Sequence, residues 1–238
     1  MFNKKNKVYA ISDLHLSFKV NKPMDVFGGE WAGYLDKIQK DWHKKVNDKK
    51  DIVLIAGDIS WAMKSIDAKP DIEWISKLPG RKVMIRGNHD YWWSSKSAAK
   101  KIMTDDIYII HNDSVKIENF IFCGTRGWTV PEKNSKLNEN DLKIYNRELI
   151  RLKMSLDHAK KQKKNNEKII AMIHYPPFNS TLEDSDFTKL FKQYEVDVVI
   201  YGHLHGKNGR HMMSVEKNGI NYYLTSCDKL QNKLKRIM

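Results

Sequence analysis

Five places in this chain carry side chains able to bind metal ions or move protons. They are Asp13 with His15, Asp58, the run Asn88-His89-Asp90, His174, and His203 with His205. Carboxylate, imidazole and amide-oxygen donors together make a mixed ligand set, which suits Mn, Fe or Zn better than an all-oxygen Mg or Ca site. Each place has an ordinary explanation when taken alone. Gly87-Asn88, for example, is common turn chemistry. The five together resist that explanation, because His, Asp and Asn are expensive to bury without partners.

Each of the five follows an apolar run: Val8–Ile11, Ile52–Ala56, Lys82–Ile85, Ile169–Ile173 and Val196–Tyr201. Continuous apolar, β-branched runs are the mark of strands buried on both faces of a parallel sheet. Open α/β sheets bind ligands just past the carboxyl ends of such strands. Asp13 and His15 are two residues apart, so extended backbone would point both to one side, and His203 and His205 repeat that spacing. Leu35, Ile38, Trp42 and Val46 recur at helical spacing. Pro70-Asp71 reads as the start of a short helix over Ile72–Leu78, closed by Pro79-Gly80. Ser94–Met103, Asp186–Tyr194 and a long stripe from Leu142 to Ala159, with a basic solvated face, complete the clear helices. Ile107–Ile110 reads as a further short strand. Glu118-Asn119 and Lys217-Asn218-Gly219 read as hairpin turns. Pro23–Gly33 reads as a loop, and the basic tail Asp228–Met238 as a helix. No repeat or boundary divides the chain, so one domain over 1–238 is expected.

At 238 residues the chain is long enough for a full core, and 41% hydrophobic residues with a mean hydropathy of −0.62 fit a globular protein. No stretch approaches the roughly 20 apolar residues of a membrane span. The start, Met1-Phe2-Asn3-Lys4-Lys5, has no signal-peptide core, and two cysteines do not make a disulfide framework, so a cytoplasmic location is expected. A formal charge of +13 leaves an anionic partner open, nucleic acid included. Runs such as Lys160-Lys161-Gln162-Lys163-Lys164 lack the interleaved aromatics of a nucleic-acid groove, so solvated helix faces account for most of the charge.

The order Asp-x-His, Gly-Asp, Gly-Asn-His-Asp, His, Gly-His-x-His, running from Asp13 to His205, resembles the calcineurin-like metallophosphoesterase family. Trp92-Trp93 and the Gly124-Thr125-Arg126-Gly127-Trp128 element make the chain similar to an uncharacterised bacterial phosphohydrolase group within it. The resemblance implies an α/β four-layer sandwich of two mixed β-sheets flanked by helices. It implies two divalent metal ions (Mn, Fe or Zn), one held by Asp13, His15, Asp58 and His205, the other by Asp58, Asn88, His174 and His203, with Asp58 bridging. His89 would be a catalytic group rather than a ligand, oriented by Asp90. The implied activity is hydrolysis of a phosphate mono- or diester by metal-bound hydroxide, without a covalent phosphoenzyme, on a phosphorylated small molecule, nucleotide or phosphoprotein.

Around these blocks, Trp61 and Trp92 are read as packing the loops. Trp93 and Trp128 stay open between packing and a stacking wall for substrate. Arg86, Arg126 and Arg210 are candidate phosphate clamps, with Arg126 the best placed, inside a Gly-flanked loop. His43 and His158 read as solvated, His211 as a surface loop residue, and Cys123 and Cys227 as small buried hydrophobes. Two rivals remain. A nuclease fits the charge but not the length, and a non-catalytic metal-stabilised interaction module conflicts with an intact His89.

Overall fold

The computed structural model describes residues 6–206 and 212–238. Two sheets face one another. The first has five strands in the order β11-β1-β2-β3-β4 and the second six, in the order β5-β6-β7-β8-β10-β9. Strands β1 (Val8–Ile11), β2 (Ile52–Ile55), β3 (Arg81–Met84) and β4 (Ile107–Ile109) run parallel, and β11 (Lys235–Arg236) pairs antiparallel with β1. In the second sheet β6 (Phe120–Thr125), β7 (Lys168–Ile173), β8 (Val198–Tyr201) and β10 (Ile220–Leu224) are parallel. There β5 (Ser114–Ile117) and β9 (Ser214–Lys217) close the edges antiparallel. Both sheets are mixed, as expected. The hairpins turn at Glu118 and Asn218, each at positive φ.

Three apolar clusters give the layers. Val8, Ala10, Leu54, Val83, Phe122, Ile170 and Ile200 meet between the sheets. The outer face of the first sheet is covered by α1 (Tyr34–Lys45), α2 (Ser65–Ser76) and α3 (Lys96–Lys100), through residues such as Ile38, Trp42, Ile72 and Ala99. The outer face of the second is covered by α4 (Glu139–Gln162) and α5 (Asp186–Gln193), through Leu152, Leu156, Phe187 and Phe191. The result is helix, sheet, sheet, helix. The central strands are apolar on both faces because both faces are covered.

Three local readings of the sequence are corrected. Helix α2 begins at Ser65, and Pro70 lies inside it rather than at its start. The ring removes only the N–H that would reach the carbonyl of Ile66, an exposed residue, so water can satisfy that oxygen. The segment read as a loop at 23–33 contains two 3₁₀ turns, Met24–Phe27 and Gly29–Trp31, which bury Met24 and Trp31. The basic tail is not helical. Lys235 and Arg236 pair antiparallel with β1 as an edge strand, and the flanking Leu234 and Ile237 bury on opposite faces of the first sheet.

Candidate metal centre

All five polar blocks arrive at one place, the carboxyl ends of β1, β2, β3, β7 and β8. Asp13, His15 and His205 bring donor atoms within 4.8 Å of one another, and so do Asp13, Asp58 and His174. Asp58 Oδ2 lies 3.8 Å from His15 Nε2 and 3.3 Å from His174 Nε2. Asn88 Oδ1 lies 2.7 Å from His174 Nε2 and 3.0 Å from His203 Nδ1. The seven residues proposed as ligands from sequence therefore form one cluster. Its two halves join at the carboxylates of Asp13 and Asp58.

The backbone that achieves this is not extended. Asp13, His15, Asp58 and His203 all have positive φ, at 56°, 48°, 51° and 71°. Such left-handed conformations are costly outside glycine, and proteins retain them where the surrounding structure holds them for a purpose. Here the holding contacts are explicit. Asp13 N–H donates to Gly57 O and His15 N–H to Asp58 O, each at 3.0 Å, so the first two loops stay paired beyond their strands. His203 N–H donates to both carboxylate oxygens of Asp13 at 3.1 Å, tying the second sheet to the first. Ser12 Oγ donates to Asp13 Oδ2 at 2.6 Å, and His89 N–H to Asp58 Oδ1 at 2.8 Å. His174 donates from Nδ1 to Ala56 O at 2.9 Å, which leaves Nε2 facing the cluster. Close approach is possible because glycines precede the candidate ligands. A Cβ on Gly202 would sit 2.6 Å from Asp13 Oδ2, and one on Gly87 would sit 2.1 Å from Asp58 Oδ1.

The electrostatics call for cations. His15 is fully buried, yet among the described residues neither ring nitrogen has a hydrogen-bond partner, and Asp58 Oδ2 has none either. Buried polar atoms are rarely left so, since each costs on the order of 1–3 kcal/mol. Burial lowers the pKa of His15 and of His203 to about 3, keeping both in the neutral, ligating form. Burial also raises Asp13, with a smaller upward push from Asp58. At His174 burial works in the same downward sense, but the Asp58 carboxylate outweighs it and lifts the pKa to about 9. Two buried carboxylates thus draw positive charge onto the nearest imidazole. A divalent cation fits this donor set.

His89 is half-buried at the edge of the cluster, its ring 5.6 Å from that of His15 and 4.5 Å from that of Trp61. It belongs to neither ligand group. Among the described residues Asp90 makes no hydrogen bond to that ring. It is fully buried and its oxygens accept from Ile59 N–H, Ser60 N–H, Gly87 N–H and Trp92 Nε1–H, at 2.8–3.1 Å. Its work is to hold the loops after β2 and β3 together.

The surrounding residues sort differently from their sequence neighbourhoods. Trp93 is fully buried in the core under the first sheet, so it offers no stacking face to a substrate; Trp92 is buried beside it. Trp61 lies parallel to His15 at 4.5 Å and shields that imidazole. Trp128 is half-buried, 5.0 Å from Tyr175, with the Arg126 guanidinium over its ring and Nε1–H bonded to Asp141. Arg126 is within 3.5 Å of Glu148, and its carbonyl accepts from His174 and Tyr175 N–H. Arg210 and His211 lie outside the described residues. His158 is exposed, as expected, and its Nδ1 accepts from Ser114 N–H. Cys123 and Cys227 are buried free thiols, as expected. Tyr175, one of the aromatics that follow the polar blocks in sequence, has its ring 4.0 Å from that of His203. Sequence reasoning missed the role of Ser12, for which adjacency to Asp13 was the available signal.

A family model described as calcineurin-like phosphoesterase matches residues 6–207. A Coxiella burnetii protein described as a probable cyclic nucleotide phosphodiesterase is 24% identical over 208 residues, covering 84% of this chain and 75% of that one. Among solved structures, TT1561 of Thermus thermophilus superposes with a TM-score of 0.61 at 13% identity, covering 98% of each chain. The calcineurin-like phosphoesterase YfkN of Bacillus subtilis gives 0.55 at 14% identity, over 94% of this chain and 82% of that one. At such identities the structural likeness speaks for the fold.

Proposed function

The chain belongs to the calcineurin-like phosphoesterase family, and from that premise we propose that it is a dinuclear-metal-dependent phosphoester hydrolase. The observation that carries this is the convergence of seven donor side chains in one cluster, with His15 and Asp58 Oδ2 buried there and without hydrogen-bond partners among the described residues. In this reading Asp13, His15, Asp58 and His205 hold one divalent ion and Asp58, Asn88, His174 and His203 the other. Asp58, whose Oδ2 lies 3.8 Å from His15 Nε2 and 3.3 Å from His174 Nε2, would serve both ions. Bound ions would supply Lewis-acid charge and lower the pKa of a bound water from about 15.7 to about 7. The mixed donors suit Mn, Fe or Zn.

The chain's own residues do the rest. Ser12 and His203 N–H fix Asp13, and His89 N–H fixes Asp58, so neither carboxylate must reorganise when substrate arrives. His89, at the edge of the cluster and in neither ligand group, would give a ring N–H to the phosphoryl or leaving oxygen. Trp61 and Tyr175 wall off the imidazoles of His15 and His203 from water. The probable diesterase of Coxiella burnetii makes a phosphodiester, a cyclic nucleotide included, the first substrate class to try. No described helix is long and apolar enough to cross a membrane. Two free thiols fit a reducing compartment, which makes the cytosol the proposed location.

The test is parallel hydrolysis of p-nitrophenyl phosphate and bis-p-nitrophenyl phosphate with added Mn, against Asp58→Asn. Metal-dependent turnover lost in Asp58→Asn is the expected result, and the preferred substrate divides monoester from diester. Two equivalents of bound metal with no turnover of either compound, or of any cyclic nucleotide, would overturn the proposal.

A further inference from the structure

A second concave site lies where β3, β4, β6 and α4 converge. It is a cavity of about 340 Å³, at the small end of ligand pockets, which span roughly 300–1,000 Å³. Arg86 follows β3, His111 follows β4, Arg126 follows β6, and Arg147, Glu148 and Arg151 stand on α4; all line it. Four guanidinium groups thus face one carboxylate, an excess of three positive charges in a small space. Glu148 is fully buried and already engaged: it accepts from Thr125 Oγ1 at 2.6 Å and Arg151 Nη1 at 2.7 Å, with Arg126 Nη2 at 3.5 Å. Arg86 and Arg147 have no ion pair among the described residues. The Nε atoms of Arg86 and Arg126 are buried without an acceptor among the described residues.

Packing like charges around unsatisfied N–H donors is unfavourable unless something answers them. The answer needs more than one negative charge and several acceptor oxygens in a compact body. A carboxylate brings one charge and two oxygens; a phosphate dianion brings two charges and three free oxygens, matched to the forked geometry of arginine. We propose that this cavity is a second phosphate-binding site, separate from the metal centre, in which Arg86, Arg126, Arg147 and Arg151 hold a phosphate dianion.

The site is wired to the metal centre by the chain itself. Arg86 leads directly into Gly87-Asn88, and the Arg126 carbonyl receives His174 and Tyr175 N–H at 3.0 Å each. The phosphate has two sources, a second phosphate on the substrate or a free phosphate. Neither affects the binding chemistry, which stands whether or not the proposed reaction does.

The experiment is calorimetric titration of the metal-loaded protein with inorganic phosphate at constant ionic strength, repeated with chelator and with Arg147→Gln. Arg147 is exposed and makes no described ion pair, so this variant keeps its fold. Two phosphates per chain are expected, one lost with chelator and the other weakened at least tenfold by Arg147→Gln. A single phosphate that survives chelation but is weakened by Arg147→Gln would uphold this site while removing the metal centre. A single phosphate lost with chelator and indifferent to Arg147→Gln, or no saturable binding, overturns the proposal. Kinetics then separates the sources. If Arg147→Gln raises KM much more for a nucleoside diphosphate than for p-nitrophenyl phosphate, the phosphate belongs to the substrate; an equal change marks a free anion.

Discussion

Gly87→Ala should empty the metal centre by geometry alone. The φ of Gly87 is outside the left-handed region, so alanine meets no conformational penalty there. What it meets is Asp58. The added methyl would stand 2.1 Å from Oδ1 and 2.2 Å from the backbone N of that residue, where ordinary contact begins at 3.4 Å. The nearest atoms are a backbone nitrogen and a carboxylate already fixed by His89 N–H, so no flexible side chain can yield. Either loop must move by about 1.3 Å. A displacement near 1 Å in a positioned group costs on the order of 100-fold in rate, and overpacking costs about 1–3 kcal/mol of stability. For a chain of 238 residues that stability loss is about 2–12 °C in Tm. The assay is metal content per chain with kcat/KM on the better nitrophenyl substrate, beside Gly28→Ala as control. Gly28 has a φ of 57° and open space around its Cβ direction, so that control carries strain without a clash. A folded Gly87→Ala protein with full metal content and activity within threefold of the parent would refute the account of Asp58 as the geometric hub.

Asp90→Ala strands four buried donors, Ile59, Ser60 and Gly87 N–H and Trp92 Nε1–H. At about 1–3 kcal/mol each, partly relieved by water, a loss of at least 3 kcal/mol is expected in a denaturant titration; an unchanged midpoint would show that those bonds do not hold the loops. Trp93→Ala removes a fully buried ring from the first core and should cost about 3–5 kcal/mol, while KM stays within twofold. A large KM effect in a stable protein would restore Trp93 to the substrate wall. Lys82 is buried between Leu78 O and Asp106, and burial lowers its pKa, Asp106 opposing. The unfolded chain then binds more protons than the native one between the folded pKa and 10.5, so this group's contribution is present above 10.5 and lost as pH falls through the folded pKa. Lys82→Met removes that dependence, so its Tm relative to the parent should be highest at neutral pH and decline toward pH 10.5. A difference that is flat with pH would refute the buried charge.

What the sequence discloses here is chemistry that has no cheap structural excuse. Asp13, His15, Asp58, Asn88, His174, His203 and His205 were legible because each interrupts a continuous apolar run at its carboxyl end, and five such interruptions imply one shared strand-end surface. The strands were legible for the same reason: Val8–Ile11 and Ile52–Ile55 cannot sit anywhere but inside. The contacts that make the ligands a site left no such trace. Extended backbone was the natural guess for Asp13 and His15. Their left-handed φ comes from pairing with Gly57 and Asp58, more than 40 residues on, and from His203 N–H, 190 residues away. Asp90 looked like the partner of its neighbour His89, yet its four donors come from loops brought together by the sheet. Arg147 and Arg151 were hidden by periodicity. On a helix read alone they belong to a basic solvated face, and only the docking of α4 beside β6 turns them toward Arg86 and Arg126. The same reasoning explains Pro70 and the tail. Local signals there were true, but tertiary pairing set the outcome. Residue type therefore announces where reactivity is, while long-range packing decides which neighbours tune it, and the second phosphate site is a property of packing alone.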